Sequence, residues 1–235
     1  MRNLTAAVYL AVARLIGGTG TSLGADFQKG LEAAQRGDYA TALREWTPLA
    51  KQGDADAQYN LGRMYNKGHG VAQDYKAAAR WYRLAAEQGN AKAQFNLGLI
   101  YYNGWGMQQD YKAAARWFTL AAEQGHAKAQ NNLGHAYDFG QGVHQDYKAA
   151  VRWYRLAADQ GSADAQGNLG IMYAEGQGVL QDDIRAHMWL NIAAANGNDL
   201  ASETRGSIAK RMSPTAIETA QRLARECMAR DYKGC

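Results

Sequence analysis

The chain has 235 residues, 26 of them basic and 22 acidic, for a formal net charge of +4. That excess is too small for a strongly basic nucleic-acid binder, and an apolar content of 47% excludes a disordered chain. Twenty-six glycines against two prolines, Pro48 and Pro214, point to packed helices closed by glycine turns.

Residues 1–24 read differently from the rest. No acidic residue precedes Asp26, Arg2 supplies a positive start, and Leu4 to Ala13 form an apolar run. Ser22 and Gly24 suit cleavage before Ala25, so the segment predicts a signal peptide and a periplasmic or secreted protein. Arg14 interrupts the run, which keeps a cytoplasmic chain with a frayed start as the alternative. The run is too short to span a bilayer, and no cysteine follows it for lipid attachment.

Residues 25–53 read as a short starting cap, two helices joined by a plain turn at Gly37. From there the chain repeats itself. "DYKAAARW" fills Asp74 to Trp81 and again Asp110 to Trp117, and "DYKAAVRW" fills Asp146 to Trp153. The same 36-residue step links Gly62, Gly98, Gly134 and Gly170, and also Trp81, Trp117, Trp153 and Trp189. A fixed period of this size means a stacked array of one supersecondary unit. The units are 54–89, 90–125, 126–161 and 162–197, with residues 198–235 forming closing helices.

Each unit reads as two helices. In the first unit, Asp54 caps helix A, which carries Ala57, Leu61 and Tyr65 on one face, and Gly62 admits a close neighbour. Asn90, Ser162 and Asn198 serve as caps in later copies, whereas His126 is a poor cap by residue type. Asp74 caps helix B, whose packing stripe is expected at Ala78, Trp81 and Ala85. Gly89 ends it. One such hairpin cannot bury its apolar face alone, and stacked copies bury each other's. A helix near Asp199 to Arg211 follows, then Ser213 and Pro214 open a last one running towards Ala229. Cys227 and Cys235 either close a small disulfide loop or remain two unrelated thiols.

Residues 57–89 are the clearest copy of a pattern that resembles the Sel-one-like repeat (SLR), a relative of the tetratricopeptide repeat. Ala57, Gln58, Leu61, Gly62, Tyr65, Gly68, Gly70, Asp74, Ala78, Trp81, Ala85 and Gly89 carry the likeness. The resemblance implies an all-α, right-handed α/α superhelix acting as an interaction scaffold, often in bacterial envelope, secretion, virulence or signalling assemblies. In the related tetratricopeptide arrays helix A lines a concave groove. Here its off-frame positions vary between copies: Tyr59, Phe95, Asn131 and Gly167; Arg63, Leu99, His135 and Ile171; Asn66, Tyr102, Asp138 and Ala174. Such variation suits a non-uniform ligand surface, and it also suits drift on an unused one.

One polar position is constant: Asn60, Asn96, Asn132 and Asn168. Amides there suit the backbone of an extended peptide, and equally a ladder of bonds between units. Trp105 stands where other copies have His69, Gln141 and Gln177. With Tyr102 and Phe95 it is a candidate anchor for a partner, or else it folds back over its own loop. Lys76, Arg80, Arg83, Lys112, Arg116, Lys148, Arg152 and Arg155 would stack into a basic convex ridge, diluted by Glu87, Glu123 and Asp159.

Catalytic patterns are weak. "GTSLG" lies within residues 1–24, and "SIAK" at Ser207 to Lys210 lacks the companion motifs of β-lactamases. No Cys/His spacing suits zinc, and the Gly-x-Gly loops lack the lysine and preceding strand of a phosphate loop. The expectation is therefore a scaffold without enzymatic activity, cofactor or metal, binding a protein or peptide and not nucleic acid. Alternatives are a structural subunit using the convex ridge and a β-lactamase-like enzyme.

Overall fold

A computed structural model describes residues 25–235; the leader reading falls on residues 1–24, outside the described part. The described residues form twelve helices. The starting pair is α1 (Phe27–Gln35) and α2 (Tyr39–Lys51). The four repeats are α3 (Ala55–Lys67) with α4 (Tyr75–Glu87), α5 (Ala91–Asn103) with α6 (Tyr111–Glu123), α7 (Ala127–Phe139) with α8 (Tyr147–Ala158), and α9 (Ala163–Glu175) with α10 (Asp183–Ala195). Two further helices, α11 (Asp199–Ala209) and α12 (Pro214–Met228), both pack on α10. Each helix otherwise packs on its neighbours in sequence, so the fold is an α/α solenoid with the expected 36-residue period.

The pairing within a repeat depends on one contact. The helix A glycine is a notch that receives a large side chain of helix B. A Cβ placed on Gly62 would sit 2.5 Å from the Tyr82 ring, and one on Gly98 2.6 Å from the Phe118 ring. Gly134 faces Tyr154 and Gly170 faces Leu190 at 2.7 Å. The same notch appears in the starting pair, where Gly30 faces Trp46 at 2.5 Å. Alanines on either side, such as Ala78, Ala79, Ala85 and Ala86, are buried and hold the helices close.

This moves the packing stripe one residue along from the expected tryptophans. Trp81, Trp117 and Trp153 are half-buried at the edge of the stripe, each against the core of the preceding helix pair. Only Trp189, where the closing helices cover the outer side, is fully buried. The reason is geometric: positions 78, 82 and 85 share one helical face, whereas 81 is rotated 100° from 82.

A second recurring contact binds three helices at a time. Gln58 is buried; its Nε2 donates to the Ala50 carbonyl of the preceding helix B (3.0 Å), and its Oε1 accepts from Gln88 Nε2 (2.8 Å). Gln94, Gln130 and Gln166 repeat both bonds, with Asn196 as the donor in the last copy. Each of these carbonyls also accepts the N–H of the glycine that follows the helix, as Ala50 does from Gly53, so the glutamine adds a second bond at the end of helix B.

The loops obey similar geometry. In the Gly-x-Gly loop after α7, Gly140 ends the helix at φ +66°, and Gly142 lies so close to Tyr111 that a Cβ would reach 2.0 Å from its carbonyl oxygen. At the far end Cys227 and Cys235 form a disulfide, and Tyr232 donates to Asn196 Oδ1 at 3.1 Å.

Burial ranks the interface residues. Phe118→Ala is expected to cost about 3–5 kcal/mol, the usual range for a buried aromatic. Trp117→Ala should cost clearly less, because its ring is already half solvated. Urea denaturation of both variants checks the order, and equal losses would refute the notch as the central contact.

Candidate interaction groove

Five helix A caps present their side chains to the i+3 backbone N–H: Asp54, Asn90, His126, Ser162 and Asn198. His126 was the poor cap by residue type, yet its Nδ1 accepts from Ala129 N–H at 3.2 Å. Its ring stacks on Phe95, 4.7 Å between centroids. Burial lowers the His126 pKa from its ordinary 6.5, and Lys128 and Lys92 push the same way.

The sequence candidates separate into three groups. Tyr59 and Phe95 are half-buried and lean on the notch rings, Tyr59 on Tyr82 and Phe95 on Phe118, each at 6.0 Å. They extend the core as much as they face outwards. Asn60 is buried, and Asn96, Asn132 and Asn168 are half-buried. The constant asparagines do not form a bonded ladder: among the described residues, only Asn168 has a side-chain hydrogen bond, donating to Asn131 Oδ1 at 3.1 Å. The buried ladder is that of the glutamines, two positions earlier. Its signal was present in the recurring Ala-Gln pair at Ala57 and Gln58.

The third group does converge. Between α5 and α7 lies an open cavity of about 230 Å³, lined by Leu99, Tyr102, Asn103, Asn131, Asn132 and His135. Tyr102, Asn132 and His135 come from three different sequence patterns: α5 supplies Tyr102, and α7 supplies Asn132 and His135 at the spacing i, i+3 on one face. His135 lies against Phe139 with the rings tilted (4.4 Å) and meets Tyr102 edge-on (6.5 Å). Phe139 is 60% exposed and escaped the sequence reading. The available signal was an aromatic residue where the other copies have Lys67, Asn103 and Glu175.

Beside the cavity, Asp138 Oδ2 accepts from the Tyr154 hydroxyl at 3.2 Å. Burial nevertheless raises the Asp138 pKa, and the nearby Glu175 charge adds to the rise. Burial lowers that of His135, against the pull of Asp138.

Trp105 belongs elsewhere. Its ring stacks on Tyr75 at the start of α4 (5.4 Å), outside the cavity. The equivalent His69 stacks on Tyr39 (4.4 Å), so in these two repeats the loop position ties the repeat to the helix pair before it. The convex ridge is partly structural as well: Arg83 donates to the Tyr101 hydroxyl, and Arg155 donates to Tyr173 (2.7 Å) and lies over Trp189. Arg63 is exposed, near the Tyr59 ring. Ser207 is exposed on α11, donating into its own helix at Glu203. Among the described residues no cluster is placed to hold a metal, and no helix is long and apolar enough to cross a membrane.

A stacked array of antiparallel helix pairs with an irregular groove on an invariant frame defines a helical-repeat scaffold. The Sel1 repeat is matched four times, at residues 55–90, 91–126, 127–162 and 163–198, and the chain belongs to the Sel1 repeat family, which generally serves in protein interaction. It is similar to a protective antigen of uropathogenic Escherichia coli with an SLR fold: 35% identity, TM-score 0.81, over 88% of this chain and 46% of that one. It is also similar to a Sel1 repeat protein from Oxalobacter formigenes: 40% identity, TM-score 0.64, over 72% of this chain and 49% of that one. The chain thus spans about half the length of these relatives. A search of curated proteins found no match.

The His126 cap makes stability depend on pH. With its folded pKa lowered, the unfolded chain takes the proton first, so stability is whole above about 6.5 and falls as pH drops towards the folded value. Protonated Nδ1 can no longer accept, so the loss should approach that of a cap, about 1 kcal/mol. His126→Asn keeps a cap without the titration. It should flatten the change in Tm between pH 7.5 and 5.5, and an unchanged slope would show that the cap does not titrate.

Proposed function

We propose that this chain is a non-enzymatic scaffold that holds an extended segment of a partner protein in its concave groove. The observation that carries this reading is the cavity between α5 and α7, where Tyr102, Asn132 and His135 meet. The frame contacts recur, while the cavity-forming combination appears once among the corresponding positions: Asn66 and Arg63 stand where this repeat has Tyr102 and Leu99. Rigid aromatic walls favour binding because they lose little freedom on contact. Asn132 has no side-chain bond within the described residues, which leaves its donors and acceptor for a ligand backbone.

Photo-crosslinking tests the reading. A benzoylphenylalanine at Asn103 should capture a protein partner in cells of the native organism, while one at Leu156 on the convex side should not. Adducts from Leu156 alone would move the function to the basic convex ridge.

We also propose that the chain works outside the cytoplasm, in the bacterial envelope. The Cys227–Cys235 disulfide supports this, because such bonds persist in oxidising compartments. The mature protein should begin after residue 24, and its cysteines should resist alkylation until reduced. An intact Met1 with free thiols, read by mass spectrometry, would place it in the cytoplasm.

A further inference from the structure

The groove reading leaves the chemistry of the bound segment open, and the charges around the cavity restrict it. On one side of the cavity, α3 presents Arg63 and Lys67, both exposed. On the other, α7 and α9 present Asp138 and Glu175. None of the four forms an ion pair among the described residues. Between them the corresponding positions are uncharged: Leu99, Tyr102 and Asn103. Along this edge the groove therefore runs from basic through apolar to acidic. The N-terminal edge of the same helices carries Asp56, Lys92, Lys128 and Asp164, and there Asp56 and Asp164 already accept from Asn90 and Asn198. The charges that run in order from basic to acidic belong to the edge that adjoins the cavity.

Asp138 is the sharpest part of this pattern. It is half-buried beside a second carboxylate, and its one side-chain partner is a neutral hydroxyl. A cation placed there would relieve two like charges at once. The exposed Phe139 ring, held against His135 on the same helix, offers an apolar face for the stem of a lysine or arginine.

Resting on the groove reading, we infer that the partner segment is an extended peptide with an acidic residue, an apolar residue and a basic residue in that spatial order. The acidic residue lies over Arg63 and Lys67, the apolar side chain fills the cavity under Tyr102 and His135, and the basic residue lies over Asp138 and Glu175. Adjacent packed helices stand roughly 10 Å apart and an extended chain advances about 3.3 Å per residue, so each repeat spans about three residues of ligand. Either chain direction satisfies the order.

The test uses a random dodecapeptide phage library selected on the folded protein. Selection runs in parallel on a Tyr102→Ala, His135→Ala variant of matched helicity. The expected result is a set of sequences, lost with the variant, that place acidic and basic residues on opposite sides of an apolar one. Calorimetry with the best synthetic peptide then compares wild type with Asp138→Lys, Glu175→Lys. The charge-reversed protein should bind about tenfold more weakly, and exchanging the peptide's basic residue for glutamate should restore the loss. Sequences that depend on the cavity but show no charge order, or affinity indifferent to the reversal, would overturn this inference and leave the groove standing. Sequences that survive the cavity variant, or no enrichment at all, would overturn the groove reading itself.

Discussion

The fold depends on how closely helix A and helix B of one repeat can approach. Gly62, Gly98, Gly134 and Gly170 remove a side chain where a ring or leucine of the partner helix needs room, with Cβ distances of 2.5–2.7 Å leaving none to spare. A methyl group there would force the helices apart or the ring out of its rotamer, and close-packed interiors tolerate neither easily. With the pair set, the alanine rows on both helices come into contact. The glutamine that joins three helices then fixes how one pair sits on the next. Tyr82, Phe118, Tyr154 and Leu190 each fill the notch, so the frame needs a large side chain there and not a particular one.

A frame held by so few positions leaves the rest of helix A free to differ. The groove shows it. One copy carries Arg63 and Lys67, the next Leu99, Tyr102 and Asn103, the third His135, Asp138 and Phe139. These are changes of charge, size and aromaticity at places that lie over the same recurring contacts, the glycine notch and the glutamine bonds. The cavity between α5 and α7 is walled by Tyr102 and His135 from neighbouring repeats, one turn apart in register and edge-on to each other. Repeat arrays turn a one-dimensional list of substitutions into a surface with position-dependent chemistry.

The outer side differs in kind. Arg83 and Arg155 reach across to tyrosines of the following repeat, so part of what resembles a charged surface is an inter-repeat tie. Trp105 is a similar case: a large aromatic in a loop, stacked on Tyr75 where His69 stacks on Tyr39. Surface aromatics and arginines attract functional readings by residue type, yet in a solenoid every repeat has two neighbours to satisfy. Neighbour contacts use these residues before any ligand can.

The sequence alone determined the architecture, because a 36-residue period with capping residues and glycine turns at constant places admits only stacked helix pairs. It also named the notch glycines, the cap positions apart from His126, and Leu99, Tyr102, Asn131, Asn132 and His135 of the cavity wall, but neither Asn103 nor Phe139. Tertiary structure decided what depends on a rotation of one residue or on a neighbour in the next repeat. In the four repeats the residue after the tryptophan, a ring in three and Leu190 in the fourth, fills the notch, because one step turns a side chain by 100° about the helix. His126 caps because its ring lies on Phe95 with Nδ1 facing the backbone, an orientation no residue scale encodes. The constant asparagines suited a bonded ladder or a ligand backbone equally, but the glutamines two places earlier reach the last carbonyls of the preceding helix and form the ladder. Side-chain direction and inter-repeat height are properties of packing, and periodicity in a single chain does not contain them.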